Sequence, residues 1–161
     1  MMKRNRFDTW VDIICLVQLV GIVVYLIVGW NSFPEQIPGH FAADGTATRY
    51  GGRGSLLVTP IFGGVLYGAM FLPGRFPEFW NTGAKVTEEN KKRIIPALKN
   101  LINVLKLMIV TKFTFITIFQ SLGTSLPSWF LPVFLLGFFV PIAVCIVNLI
   151  RVSKSGEGKD L

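Results

Sequence analysis

Four long apolar blocks constrain the fold of this chain more than any other feature of its sequence. They lie at about residues 11–30, 55–72, 101–122 and 129–150, and each has the length that an α-helix needs to cross a hydrocarbon core about 30 Å thick. Only 16% of the residues are charged, whereas a soluble domain usually carries about 25%. The sequence therefore predicts an all-α polytopic membrane protein with four transmembrane helices, in which residues 1–161 form one integral membrane domain surrounded by the lipid bilayer.

The positions of the basic residues predict which side of the membrane each segment occupies. Of the 16 Lys and Arg residues, 12 fall at the two termini or in segment 73–100, and Lys106 follows close behind that segment, whereas segment 31–54 holds only Arg49 and Arg53. Because basic segments are retained inside the cell, we expect both termini and segment 73–100 in the cytoplasm, loop 31–54 outside it, and the chain in the bacterial cytoplasmic membrane. The net charge is +7. Because these positive charges set the orientation of the chain and contact anionic lipids, they do not indicate a nucleic-acid partner, and we expect none.

The outer loop 31–54 contains the residue types best suited to recognition. Its prolines favour an extended or turned backbone, and Asp44-Gly45 is typical of a tight turn. His40 is the only histidine, and it suits a hydrogen-bonding role or a site for a peptide or a proton because it titrates near neutrality. The candidate binding residues of this loop are Pro34, Glu35, Pro38, His40, Phe41, Asp44 and Gly45.

The residues that could hold a metal ion or carry out catalysis are few. A metal ion at His40 would have to recruit Asp44 or Glu35 and would still lack the ligands of a stable zinc site. Cys15 and Cys145 lie inside the first and last blocks, without neighbours at metal-ligand spacing. The sequence has no His-Glu-x-x-His, Walker loop or GxGxxG motif. We therefore predict no metal, no cofactor and no enzymatic activity.

A polar stripe runs along the third block. Its members fall within an arc of roughly 80° on a helical wheel, and they are Asn103, Lys106, Thr114, Thr117 and Ser121, with Val110 as the one apolar residue among them. Polar groups in hydrocarbon need partners, so we expect this stripe to face the interior of the bundle.

Lys112 projects from nearly the opposite face of the same helix. A lysine near the bilayer centre costs about 2.5 to 3.5 kcal/mol on insertion scales, which favours either a partner or a water-filled cavity. By depth, Asp12 and Gln18 of the first block are the nearest candidate partners. In the alternative, the helix begins nearer Met108 and Lys112 reaches the cytoplasmic interface.

Two further patterns concern packing and partners. In segment 73–100, Thr87-Glu-Glu-Asn90 is typical of a helix start, and the following residues predict an amphipathic lead-in that lies among the lipid headgroups. Its part Lys85–Lys99 is either a contact for a cytoplasmic regulator or a solvated helix.

Gly64 and Gly68 form a GxxxG motif, which predicts close packing inside the bundle or, as the alternative, the contact of a homo-oligomer.

Residues 33–51, FPEQIPGHFAADGTATRYG, resemble a known family. The resemblance is to the domain of unknown function that forms the N-terminal part of the bacterial SdpI-type immunity proteins, and it covers roughly residues 10–70. The matching positions are Pro34, Ile37, Pro38, His40, Phe41, Gly45, Tyr50 and Gly51. The resemblance implies protection against a secreted peptide toxin and signalling to a membrane-sequestered repressor.

These observations lead to two expectations about function. The first is a non-enzymatic membrane protein of the SdpI-like immunity or membrane-sensor kind, with loop 31–54 as its recognition element. The second is a small transporter or an accessory subunit of a transport complex, in which the polar stripe and Lys112 line a path. The candidate intramembrane polar residues are Asp12, Asn103, Lys112, Thr114 and Thr117.

Overall fold

The computed structural model describes residues 4–71 and 90–157, which form four long helices and a two-stranded sheet. The elements are α1 (Arg6–Gly29), β1 (Gln36–Phe41), β2 (Ala47–Gly52), α2 (Val58–Phe71), α3 (Lys91–Ser121) and α4 (Phe130–Glu157), with 3-10 turns at Trp30–Ser32 and Arg53–Leu57. All four helices, α2 together with the turn before it, are long and apolar enough to cross a membrane. The prediction of an all-α chain with four membrane-spanning helices is confirmed.

Helix α3 is the centre of the bundle, because α1, α2 and α4 each pack against it. Its 31 residues span about 46 Å at 1.5 Å per residue. The polar stripe faces the interior, since Asn103, Lys106, Val110, Thr117 and Ser121 are buried and Thr114 is half-buried. The helical periodicity of the sequence thus locates the interior face of α3.

The start of α3 differs from the sequence prediction. The helix begins at Lys91 and continues through Pro96 without a break, although a proline removes one backbone hydrogen bond. Ile94 and Lys99 are buried, and Lys99 pairs with Asp8 of α1. The predicted position of this segment among the lipid headgroups stays a prediction. The predicted helix start at Thr87 and the rest of segment 73–89 lie outside the described residues.

Helix α1 begins with a reciprocal pair of hydrogen bonds between Asn5 and Asp8. The Asn5 side chain accepts a hydrogen bond from the Asp8 amide, and the Asp8 carboxylate accepts one from the Asn5 amide, which satisfies two amides at the helix start. The buried residues of α1 follow helical spacing and are Asp8, Val11, Asp12, Cys15, Ile22 and Leu26. One face therefore packs on the bundle and the remaining apolar side chains point outward. Cys15 and Cys145 are both buried and free.

The GxxxG motif of α2 does not pack inside the described part of the bundle. A Cβ atom added at Gly64 or Gly68 would meet no atom within 4 Å, whereas one added at Gly63 would lie 3.0 Å from the Cβ of Phe113 on α3. The prediction that Gly64 and Gly68 make the internal contact is wrong. The close approach to α3 belongs to Gly63, one residue earlier, because helix rotation turns that residue towards Phe113.

A β-hairpin occupies the segment predicted as an outer loop. Strands β1 and β2 pair antiparallel with Ile37 opposite Gly51 and His40 opposite Arg49, and the pairing is irregular on both sides of His40. The chain reverses at the predicted Asp44-Gly45 turn, where Gly45 has a φ of 89°. We call the end of the bundle that carries this hairpin the hairpin end.

Candidate functional site

The hairpin is fixed to the bundle by a small apolar core. Leu26 of α1, Phe33, Ile37 of β1 and Leu56 of the turn before α2 form one buried cluster, and Ile37 and Leu56 are completely inaccessible. Burying side chains of this size stabilises the attachment by about 1.5 to 3 kcal/mol for each fully buried residue. The hairpin therefore holds a fixed position on the helix ends.

Hydrogen bonds from α3 and from the loop between α3 and α4 hold the other side of the hairpin. The Gln120 Nε2 atom donates to the Pro38 carbonyl at 2.9 Å, and the Leu126 amide donates to the Gly45 carbonyl at 2.9 Å. Gly45 is required at this position for two reasons: its φ is positive, and an added Cβ atom would collide with the Leu126 carbonyl. Sequence reasoning missed Gln120, although it lies three residues after Thr117 and so on the same face of α3.

The predicted loop residues fall into different environments within the hairpin. His40 is exposed, and its Nδ1 atom is 2.7 Å from the Thr48 hydroxyl. Phe41 is half-buried and Pro38 is buried, whereas Pro34 and Glu35 are exposed on the approach to β1. The structure therefore places His40 and Phe41 on the strand, while Pro34 and Glu35 lie before it.

Asp44 stabilises the turn of the hairpin. Its carboxylate accepts hydrogen bonds from the hydroxyl of Thr46 and, at 2.9 Å, from the amide of Thr46. These bonds to the charged form lower the pKa of the Asp44 carboxyl below its ordinary value. Because its contacts all lie within the turn, the structure gives Asp44 a role in shaping the hairpin.

A cavity of about 400 Å³ lies beneath the hairpin, and we call it the hairpin cavity. Its walls come from the hairpin, the start of α2, the half of α3 nearest the hairpin, the loop after α3 and the start of α4. It brings together three of the predicted residues of the loop, His40, Phe41 and Gly45, with Lys112 of α3. Pro34, Glu35 and Asp44 do not line it. The hairpin cavity is the candidate functional site of the described residues.

Lys112 lines the hairpin cavity, and Asp12, one of its two predicted partners, pairs with Arg4 and Lys106 instead. Lys112 lies nine residues before the end of α3, about 13.5 Å from the hairpin end of that helix. Its Nζ atom lies 4.7 Å from the centre of the Phe134 ring and 5.4 Å from that of Phe113. The position of Lys112 on a cavity wall agrees with the expectation that this lysine needs either a partner or a cavity.

Asp12 and Asp8 form instead a separate group of ion pairs towards the other end of the bundle. Asp12 accepts hydrogen bonds from Lys106, from Arg4 at 2.7 Å and from the Tyr67 hydroxyl at 3.5 Å. Asp8 accepts hydrogen bonds from Lys99 and, at 2.7 Å, from the Asn103 side chain. We call the set Arg4, Asp8, Asp12, Lys99, Asn103 and Lys106 the ionic cluster. It links α1 to α3 through charges that satisfy one another.

Sequence reasoning found only part of the ionic cluster. It singled out Asp12 and Asn103 but missed Asp8 and Lys99, and it placed Lys106 on the stripe without a partner. A signal was present, because Asp8 and Asp12 are four residues apart on α1, and Lys99, Asn103 and Lys106 are spaced by four and three residues on α3. Residues three or four apart lie on one face of a helix, so two acidic residues on one face of α1 and two lysines on one face of α3 could have suggested ion pairs between the helices.

Thr117 and Gln120 of α3 are engaged within the bundle, whereas Thr114 is half-buried. The Thr117 hydroxyl donates to the Phe113 carbonyl at 2.8 Å, which is an ordinary arrangement for threonine in a helix. The Thr59 hydroxyl of α2 donates to the Gln120 Oε1 atom at 2.7 Å. Residues Thr59 and Gln120 thus tie α2, α3 and the hairpin together at the upper wall of the hairpin cavity.

Two further findings concern metal binding and a second groove among the described residues. No three His, Cys, Asp or Glu side chains converge there in a way that could hold a metal ion. A larger groove of about 770 Å³ lies between α1 and α2, but its lining is almost entirely apolar. That groove has the character of a lipid-facing surface.

Comparison with protein-family models gives a match for one segment of the chain. A domain of unknown function, DUF1648, matches residues 17–64, which run from the middle of α1 through the hairpin to the first half of α2. The comparisons with curated proteins and with solved structures gave no match. The chain is thus an integral membrane protein in which the segment that carries the hairpin is similar to a domain of unknown function.

Proposed function

We propose that this chain is a non-enzymatic integral membrane protein that recognises a ligand at the hairpin end of its helix bundle. The observation that carries the proposal is the hairpin cavity, which a firmly attached hairpin covers and which His40 and Lys112 line. Mostly apolar cavities of several hundred Å³ with a few polar groups are typical of binding sites for small ligands or for parts of larger ones. The ionic cluster and the apolar core give the bundle the rigidity that such a site needs.

The finer role we propose is immunity or sensing of the SdpI-like kind, with the hairpin end outside the bacterial cytoplasmic membrane and both termini inside. Its support is the resemblance of residues 33–51 to that family and the basic character of the opposite side. A secreted peptide toxin would then be met at the hairpin. A cytoplasmic regulator would contact the exposed basic residues Lys91, Lys92 and Arg93 at the start of α3, because Lys99 is buried in the ionic cluster.

Resistance to a secreted peptide toxin tests this role. We expect that expression of the chain in a toxin-sensitive bacterial strain raises the toxin concentration that stops growth, and that His40→Ala removes the effect while the amount of protein in the membrane stays the same. Asn31→Ala is the matched control, because Asn31 is also polar and exposed at the hairpin end but lies outside the hairpin cavity. Full resistance of the His40→Ala variant would remove the hairpin from the mechanism.

A second candidate function is a small transporter or an accessory subunit of a transport complex. The observation that favours it is Lys112, an ionisable group on the wall of a cavity in the outer half of a membrane-spanning helix. The rest of the polar stripe supports it less, because Lys106, Asn103 and Thr117 are engaged within the bundle. A path through four helices would require a homo-oligomer, and solute flux into liposomes that Lys112→Leu leaves unchanged would contradict this function.

A further inference from the structure

Lys112 is the polar group of the hairpin cavity that the described residues leave without a counter-charge. No hydrogen bond or ion pair joins its Nζ atom to another described residue, and its only close neighbours of note are the rings of Phe113 and Phe134. Attraction between an ammonium group and aromatic rings is worth about 0.5 to 2 kcal/mol, which is less than the cost of a lysine at membrane depth. The position of Lys112 thus favours an anion supplied from outside the protein.

The other polar side chains of the cavity do not compete for that anion. Thr59 donates to Gln120, and Gln120 in turn donates to the Pro38 carbonyl. His40 uses Nδ1 with Thr48 and keeps Nε2 available at the rim. No Asp or Glu is among the described residues that line the cavity. The site therefore offers one ammonium group, with the imidazole of His40 at its rim.

The shape of the cavity indicates where its ligand comes from. Helices α2 and α4 each pack on α3 and hardly on each other, so the space between them along α3 would be the side entrance to the cavity from a surrounding bilayer. The wall there is apolar and includes Phe113, Ile116, Phe130 and Leu131. A ligand that enters from the side must have an apolar body that fits this wall and an acidic group that reaches Lys112.

We propose that the hairpin cavity binds a single-chain amphiphile, with its acidic head group paired to Lys112 and its apolar chain lying between α2 and α4. The head group is a carboxylate, as in a fatty acid, or a phosphate, as in a lipid. This inference rests on the proposed function, since it names the ligand class of the same site. Lys112 holds the charge, and His40 lies at the rim where the head group meets water.

Binding of radiolabelled dodecanoate to the purified full chain in a non-ionic detergent tests the proposal. We expect saturable binding at one site, at least tenfold weaker in Lys112→Met and within about threefold of the wild type in Lys112→Arg, which keeps the charge. Arg6→Met is the matched control, because it removes an exposed positive charge at the start of α1, outside the hairpin cavity, and we expect it to bind normally. The thermal unfolding midpoint of each variant establishes that the protein is folded.

Competition against radiolabelled dodecanoate distinguishes a carboxylate head group from a phosphate head group, and an acidic ligand from a neutral one. Dodecyl phosphate that displaces dodecanoate more strongly than an equal amount of unlabelled dodecanoate would assign the site to a phosphate head group, and the reverse would assign it to a carboxylate; either supports the proposal. Neutral dodecanol should fail to compete, and equal competition by dodecanol would overturn it. Unchanged binding in Lys112→Met would overturn it as well.

Binding of a hydrophobic peptide, measured beside that of dodecanoate, distinguishes failure of the amphiphile proposal from failure of the proposed function. If a peptide with a free C-terminal carboxylate binds through Lys112 while dodecanoate does not bind, the amphiphile proposal fails and ligand recognition at the hairpin stands. If instead dodecanoate binds as expected while His40→Ala keeps full toxin resistance, the immunity role fails and the amphiphile site stands.

Discussion

Lys106 and Lys112 lie on the same helix, six residues apart, and their surroundings are opposite. Lys106 is 4% exposed and pairs with Asp12 inside the ionic cluster, whereas Lys112 is half-buried and faces a cavity without a carboxylate among its described walls. Their positions differ by about 120° around the helix axis. The comparison teaches that the partner available on the neighbouring element decides whether a lysine in a membrane helix serves stability or remains available to a ligand.

The ionic cluster should fail sharply when one partner is removed. We expect Asp12→Leu to lower the free energy of unfolding by about 3 to 5 kcal/mol, because Lys106 would remain buried without its counter-charge. Replacing both residues, as Asp12→Leu with Lys106→Met, should recover most of that loss, since an apolar pair of similar volume is often as stable as a buried ion pair.

Unfolding in mixed detergent and SDS micelles, followed by circular dichroism, measures these free energies. The two single variants and the double variant form a cycle that isolates the coupling between the residues. If the two single losses simply added in the double variant, Lys106 would gain no stability from Asp12, and the contrast between Lys106 and Lys112 would be wrong.

The roof of the hairpin cavity depends on one glycine. We expect Gly45→Ala to weaken the attachment of the hairpin by about 1 to 3 kcal/mol, because alanine is strained at a positive φ and its Cβ would collide with the Leu126 carbonyl. Gly54→Ala is the matched control, since an added Cβ there meets no atom within 4 Å.

Hydrogen exchange of the Leu126 amide, which donates to the Gly45 carbonyl, measures this effect. Its protection should fall about tenfold or more in Gly45→Ala and stay the same in Gly54→Ala. Equal protection in both variants would show that the hairpin attachment does not depend on Gly45.

Lys112 should contribute little to stability, in contrast to the ionic cluster. We expect Lys112→Met to unfold within about 1 kcal/mol of the wild type or to be more stable, because removing a charge from membrane depth is favourable and no ion pair is lost. The same detergent unfolding experiment checks it. A loss as large as that of Asp12→Leu would mean that Lys112 is a structural residue and would erase the contrast between the two regions.

Sequence patterns predicted the parts of this fold that depend on local periodicity. The four apolar blocks predicted the four helices, the helical wheel predicted the buried face of α3 from Asn103 to Ser121, and Asp44-Gly45 predicted the chain reversal. Each of these depends on residues that are neighbours along the chain, so the sequence contains the information directly.

The contacts that form the site could not be predicted in the same way. Asp8 and Lys99 are 91 residues apart, and their pairing depends on the rotation of α1 relative to α3, which composition does not set. Depth alone wrongly matched Lys112 to Asp12, because two residues at one depth meet only if they share a face. The strands of the hairpin contain proline and several glycines, which are poor strand formers, and they are held in place by their contacts with helix ends.

The smallest effect we predict concerns the turn of the hairpin. Because hydrogen bonds from Thr46 lower the pKa of Asp44 in the folded chain, the stability that they add is present above the unfolded pKa of about 3.9 and is lost as the pH falls through the folded pKa. Thr46→Val removes the hydroxyl and should raise the pKa of Asp44.

An NMR titration of the Asp44 carboxyl carbon measures this shift. Identical titration midpoints in the wild type and in Thr46→Val would show that the Thr46 hydroxyl does not stabilise the Asp44 carboxylate. The cavity beneath the turn should keep its affinity for dodecanoate in either case above pH 6, because Asp44 does not line it.

Ligand protection of a cysteine placed inside the hairpin cavity tests directly whether this cavity is a binding site centred on Lys112. In a chain with Cys15→Ala and Cys145→Ala, reconstituted in lipid nanodiscs, Leu131→Cys provides a thiol on the cavity wall and Leu136→Cys provides one on the outward face of the same helix. We predict that a water-soluble thiol reagent modifies the first and hardly the second, that dodecanoate slows the first reaction at least tenfold, and that Lys112→Met abolishes this protection. Protection that persists without Lys112, or a cavity thiol that never reacts, would contradict the assignment of the hairpin cavity as a binding site centred on Lys112.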